Sequence, residues 1–103
     1  MTHKELGNLL EKAGLPLAYS HFGKPQEPPF LVYIRTGNEN IEADDKVWQK
    51  KMNYDIELYT SKKDTAKEKI IEDLLDDAEI FYDIEEVYIE SEKMFEVIYS
   101  IQI

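Results

Sequence analysis

Leu6, Leu9, Leu10 and Ala13 recur at the spacing of one helical face, and the residues around them mark where that helix starts and stops. Thr2 and Glu5 have the spacing of a capping box, in which each side chain satisfies a free amide of the first turn. Gly14 supplies a left-handed cap and Pro16 blocks continuation, so the pattern predicts a helix over 2–13 whose apolar stripe lies on a sheet. A short strand is expected over 17–22. In the following Gly23-Lys24-Pro25-Gln26-Glu27-Pro28-Pro29, the prolines cannot donate ladder hydrogen bonds, which forces an extended loop. Phe30-Leu31-Val32-Tyr33-Ile34 is apolar at successive positions, the mark of a strand covered on both faces or covered on one and docked against a neighbour on the other, and is read as central to the sheet.

Residues 36–46 are polar and acidic, with Gly37 and two asparagines, which predicts a long mobile connection between strands. From Trp48 the chain alternates: Trp48, Met52, Tyr54, Ile56 and Leu58 point one way, while Gln49, Lys51, Asn53, Asp55 and Glu57 point the other. This is the pattern of a long, half-exposed strand. A second helix is expected over 65–78, opened by a Thr65/Glu68 capping box, with Ala66, Ile70, Ile71, Leu74 and Leu75 on one side. Lys69 and Asp73 lie one turn apart on its wet face. Residues 80–103 alternate again, but Ile80, Tyr82 and Ile84 are out of phase with Val87 and Ile89, which predicts a bulge near 83–86. Glu90-Ser91-Glu92-Lys93 reads as a hairpin tip, and Phe95, Val97, Tyr99 and Ile101 as the buried face of a last strand. The expected fold is one α+β domain over 1–103 in the order α-β-β-β-α-β-β. Its mainly antiparallel sheet of four to five strands carries both helices on one face.

Composition narrows the function classes. A 103-residue chain buries only about two-thirds of the surface its unfolded form exposes, so the core is thin and association adds burial that folding cannot. Twelve Lys and Arg against 22 Asp and Glu give a net charge of -10, which argues against adhesion to phosphate backbones or anionic lipid and leaves room for a basic partner. The chain has no cysteine, so it offers no disulfide, thiolate zinc site or cysteine nucleophile, a composition that fits an intracellular setting. No apolar run approaches the ~20 residues that cross a bilayer, and Met1-Thr2-His3-Lys4-Glu5 lacks a signal-peptide core, so a soluble protein is expected.

Candidate chemistry is sparse. Neither His3 nor His21 has a second ligand at metal spacing, which favours surface or loop roles. Glu39, Glu42, Asp44 and Asp45 resemble a cation loop in composition, but without the Asp-x-Asn-x-Asp-Gly run of a calcium-binding loop they read as a solvated acidic segment. Glu85, Glu86, Glu90 and Glu92 form a second acidic run, read as a wet strand edge that resists edge-to-edge pairing, ahead of the alternative of a glycosidase-like carboxylate pair. None of the four glycines builds a phosphate-cradling loop. No catalytic residue, cofactor or metal site is assigned. The seven tyrosines exceed what the core needs, and β propensity accounts for many of them; Tyr19, Tyr33, Tyr59, Tyr82 and Tyr88 are candidates for contact with other proteins.

Four segments carry a resemblance that covers nearly the whole chain. They are Leu17-Ala18-Tyr19-Ser20-His21-Phe22, the prolines leading to Phe30-Leu31-Val32-Tyr33, Tyr54-Asp55-Ile56-Glu57-Leu58-Tyr59-Thr60, and Tyr88-Ile89-Glu90-Ser91-Glu92-Lys93-Met94-Phe95. The chain resembles small prophage morphogenesis proteins of Gram-positive bacteria, which are similar to the head-to-tail joining and tail-completion proteins of long-tailed phages. The resemblance implies a non-enzymatic α+β subunit that forms a homo-oligomeric ring, often a hexamer, at the junction of connector and tail tube. It implies partners among the connector and tail-tube proteins, assembly in the bacterial cytoplasm and a final place in the virion, with no specific nucleic-acid or membrane binding.

On that reading the acidity suits a passage through which DNA slides without sticking. The contacts are expected in the 36–46 segment and at exposed strand edges, at Asn38, Glu39, Asn40, Ile41, Glu42, Asp44, Asp45 and Trp48. The alternative is an acidic regulatory protein, a DNA mimic that occupies a basic groove of a host protein; a hydrolase ranks below both.

Overall fold

The computed structural model describes the backbone of residues 1–43 and 46–103 and the side chains of residues 1–41 and 50–103. Helix α1 (His3–Glu11) opens on the expected capping box: Thr2 Oγ1 accepts from the Glu5 amide at 3.1 Å, and Glu5 Oε1 accepts from the Thr2 amide at 2.9 Å. These bonds from Thr2 hold the Glu5 carboxyl below its ordinary range. Gly14 ends the segment at φ 74°, a conformation that a residue with a β-carbon adopts only at a cost.

Strand β1 (Leu17–Tyr19) is shorter than the expected 17–22, because Ser20 turns to φ 69° and takes the chain out of the sheet. The four further strands make three antiparallel pairs: β2 (Phe30–Ala43) with β3 (Lys46–Thr60), β3 with β5 (Met94–Gln102), and β5 with β4 (Tyr82–Ile89). Strand β1 joins β2 in parallel, giving the order β1-β2-β3-β5-β4. Helix α2 (Thr65–Asp77) links β3 to β4, which run parallel with β5 between them.

Strand parity sets the core. Leu31 of β2, Tyr54, Ile56 and Leu58 of β3, and Val97, Tyr99 and Ile101 of β5 share one face. Against that face lie Leu6 and Leu10 of α1 and Ile71 and Leu75 of α2, all fully buried. Burying each such Leu or Ile side chain contributes roughly 1.5–3 kcal/mol, and the helices are therefore held by their stripes rather than by propensity. In β2, Leu31 and Val32 are both buried although they face opposite ways, as the unbroken apolar run predicts. The far side of Val32 is sheltered by the 20–29 loop, whose Phe22 packs edge-on against Phe30, with ring centroids 5.4 Å apart.

Three local expectations need correction. Helix α2 is capped by Asp64, whose carboxylate accepts from the Lys67 amide at 3.1 Å, while Thr65 is the first helical residue. A carboxylate answers the positive end of the helix better than a hydroxyl does. No bulge interrupts β4, since residues 82–89 pair with β5 in unbroken register. The phase change has another origin: Tyr82 and Ile84 face the helices, while Val87 and Ile89 sit on the open face of an edge strand. Finally, residues 36–43 are not a loop but the outer half of β2, paired with β3 up to Ala43 opposite Lys46.

Candidate interaction surface

Beyond Arg35 and Asn53 the β2–β3 hairpin leaves the sheet as a two-stranded arm. A register shift between Arg35 and Gly37 marks its root and a second follows Ile41. At about 3.3 Å per residue the outer eight residues of β2 reach roughly 25 Å. The molecule measures 50 × 28 × 23 Å as a result.

The arm holds the residues that the sequence nominates for contact. Asn38, Glu39, Asn40 and Ile41 are exposed, with Asn38 opposite Met52, Glu39 opposite Lys51, Asn40 opposite Lys50 and Ile41 opposite Gln49. Asn38 Nδ2 donates to Asn40 Oδ1 at 3.2 Å along one face. Glu42 pairs through its backbone with Val47, and Trp48 lies within β3; their side chains are outside the described residues, as are Asp44 and Asp45 entirely. Ile41 is an apolar side chain 43% exposed among the polar residues 38–40.

A second surface, of which the sequence nominated Tyr88 but not Phe81 or Ile84, lies at the other side of the sheet. Strand β4 is an edge, and Phe81, Ile84 and Tyr88 are 94%, 53% and 46% exposed along it. Asp83, Glu85 and Glu86 are interspersed among them. Lys63, in the loop before α2, binds Glu68 at 2.8 Å and also bonds Glu86, and these two carboxylates hold its ammonium above its ordinary pKa. The run of acids was legible in the sequence, but the open edge required the strand order.

Several titratable side chains elsewhere have partners within the fold. His3 Nδ1 lies 2.8 Å from the Tyr54 hydroxyl, and its ring packs edge-on against Tyr19 at 4.8 Å. Tyr19 also accepts the Arg35 amide at 3.2 Å, which fastens β1 to the root of the arm. His21 has Ser20 Oγ 3.1 Å from its Nδ1. The Tyr99 hydroxyl donates to Glu72 at 2.8 Å beneath α2, and burial raises its pKa.

On the face of the sheet away from the helices, Tyr59 stacks on Phe30 at 4.7 Å. Its hydroxyl lies 2.9 Å from Glu57 Oε1 and 2.7 Å from Glu96 Oε2, so one phenolic proton serves two carboxylates. Burial pushes the Glu57 carboxyl up, an effect that the Tyr59 hydrogen bond opposes and the nearby Glu96 and Asp55 reinforce. Burial also raises the Tyr59 phenol, as do the two carboxylates it serves. An open groove of about 550 Å³ adjoins Tyr59, floored by Phe30, Val32 and Met94 and rimmed by the 20–26 loop.

Among the described residues no group of His, Asp and Glu is arranged to hold a metal ion, and no helix is long and apolar enough to cross a membrane. No family model matches the chain. No curated protein matches it either.

Proposed function

We propose that the chain is a non-enzymatic structural subunit that forms a homo-oligomeric ring at the head–tail junction of a long-tailed phage or prophage virion. The arm is the observation that carries this reading. A two-stranded ribbon is marginal by itself in water, and three or more strands or a packed helix ordinarily support one. Here the ribbon extends roughly 25 Å past the sheet, with residues 36–41 of β2 exposed on both of its faces. Such an element gains its support from a neighbouring subunit. The open, partly apolar edge of β4 supplies a second contact surface, and a protomer with two distinct surfaces builds a ring when the rotation closes.

The virion setting rests on the resemblance of the strand segments to prophage head–tail joining and tail-completion proteins, whose partners are connector and tail-tube subunits. The net charge of -10 suits a ring around a DNA passage, since the wall repels the phosphates. The subunit is then made in the host cytoplasm and ends in the virion. Light scattering and electron microscopy of the purified chain over a concentration series test the reading, together with capture of tail-tube and connector proteins. Rings that bind one of those proteins support it. A strict monomer that binds neither overturns it, and capture of host DNA-binding proteins alone favours an acidic mimic instead.

A further inference from the structure

Strand β4 offers eight residues without proline or bulge, and the outward backbone groups of such an edge form a template for another strand. What guards it is charge. Asp83, Glu85 and Glu86 lie within it, and antiparallel pairing of two β4 strands about their midpoint would set Glu85 against Glu86 of the second copy. A strand carrying lysines meets no such barrier.

The chain contains one. Strand β5 stops at Gln102, opposite Asn53, and Ile103 exchanges two 2.8 Å backbone bonds with Met52. Past that point, among the described residues, the side of β3 away from β2 has no strand beside it. Among the described residues, that side of 46–51 is unpaired; the sequence there is Lys46-Val47-Trp48-Gln49-Lys50-Lys51, three cations against the three anions of β4. The outer half of β2 carries Glu39 and Glu42 and no cation, so β4 repels it. Strand β1, with three residues, is too short to compete. Glu85 and Glu86 point to opposite faces of the sheet, as do Lys50 and Lys51, so opposite charges are available on both faces of the joint.

We propose that residues 46–51 of the arm add as a sixth strand to the β4 edge of a second copy, joining copies head to tail. The proposal rests on the oligomeric reading above and names its interface. The contact is heterologous, since arm and edge are different surfaces of one protomer, and it leaves each protomer with one arm given and one edge filled.

Two variants test it. Lys50→Glu with Lys51→Glu makes the arm acidic; Asp83→Lys with Glu85→Lys makes the edge basic. All four sites lie outside the core, and far-UV circular dichroism verifies that each variant is folded. Each variant alone is expected to need at least about tenfold more protein for half-assembly, because like charges then face each other. An equimolar mixture should assemble as the wild type does, since each arm now meets an edge of opposite sign. Wild-type assembly that neither variant disturbs, or impairment that mixing does not relieve, overturns this interface and leaves the ring standing. A wild type that stays monomeric overturns the interface and the homo-oligomeric reading together.

Discussion

Replacing Glu57 by Gln is expected to stabilise the protein at neutral pH, and the gain should vanish in acid. Tyr59 has one proton to place between Glu57, 2.9 Å away, and Glu96, 2.7 Å away, so at neutral pH one carboxylate faces the phenol oxygen without a donor. Two unit charges about 5.5 Å apart repel by about 3 kcal/mol at an effective dielectric of 20. Water and salt reach this partly open face and reduce that to about 1 kcal/mol. The glutamine carbonyl still accepts the Tyr59 proton, so the variant keeps the hydrogen bond and removes the repulsion. For a domain of this size, 1 kcal/mol corresponds to a rise in Tm of about 4–8 °C. Burial holds the folded Glu57 carboxyl above its ordinary value of 4.5, so folding favours the protonated form. Wild-type stability from this group is therefore full below the ordinary value and is lost as pH rises through the raised one. Thermal melts of both proteins at one concentration, from pH 7.5 to pH 4, should show a gap that is widest at the upper end and closes toward the lower. A variant less stable than wild type at pH 7.5, or a gap that persists unchanged at pH 4, would refute the shared-proton account.

Two other outcomes follow from local geometry. Asp64→Ala should lower the Tm and the helical signal while Thr65→Ala leaves both nearly unchanged, because the Lys67 amide is bonded by Asp64; the Asp64 contribution is present above the ordinary carboxyl pKa and is lost as pH falls, since that bond to the Lys67 amide holds the carboxyl down. A β-carbon at Gly7 would stand 2.8 Å from the Tyr33 hydroxyl, whose ring is held between His3 and Tyr19, so Gly7→Ala should be neutral or destabilising alone. Made in a Tyr33→Phe background it should add up to about 1 kcal/mol of helix propensity, read by denaturant melts.

The helices were legible because their signals are local. Thr2 and Glu5 act within one turn of each other and Gly14 on the turn it ends, and Leu6 and Leu10 need only the helical period to be read as buried. The 90–93 turn was legible for the same reason. The outer half of β2 was not, because the expected signature of a strand is one buried face, and residues 36–41 are exposed on both. Asn38 and Asn40 therefore looked like loop residues although their backbones pair with β3. The Tyr59 arrangement was half visible: Glu57 and Tyr59, two apart on one strand, must share a face, but Glu96 joins them only through the β3–β5 register. The open edge of β4 was hidden for a related reason, since nothing local reveals that β5 inserts between β3 and β4.

That insertion governs the order in which the molecule can be completed. During synthesis α1, the β2–β3 hairpin and α2 all emerge before β5, yet the flank of β3 and the whole of β4 wait for it. Until residues 94–102 are out of the ribosome, Tyr54, Ile56 and Leu58 lack their neighbours on one side, and β4 has no strand to define its geometry. Closing this part of the sheet therefore waits on a β3–β5 pairing of residues about 40 positions apart, the kind of non-local contact that forms slowly. A nascent chain on a crowded polysome thus exposes no finished β4 edge to its neighbours. On the proposed interface, joining through that edge requires a chain in which β5 has already paired, so β5 sets when the edge exists.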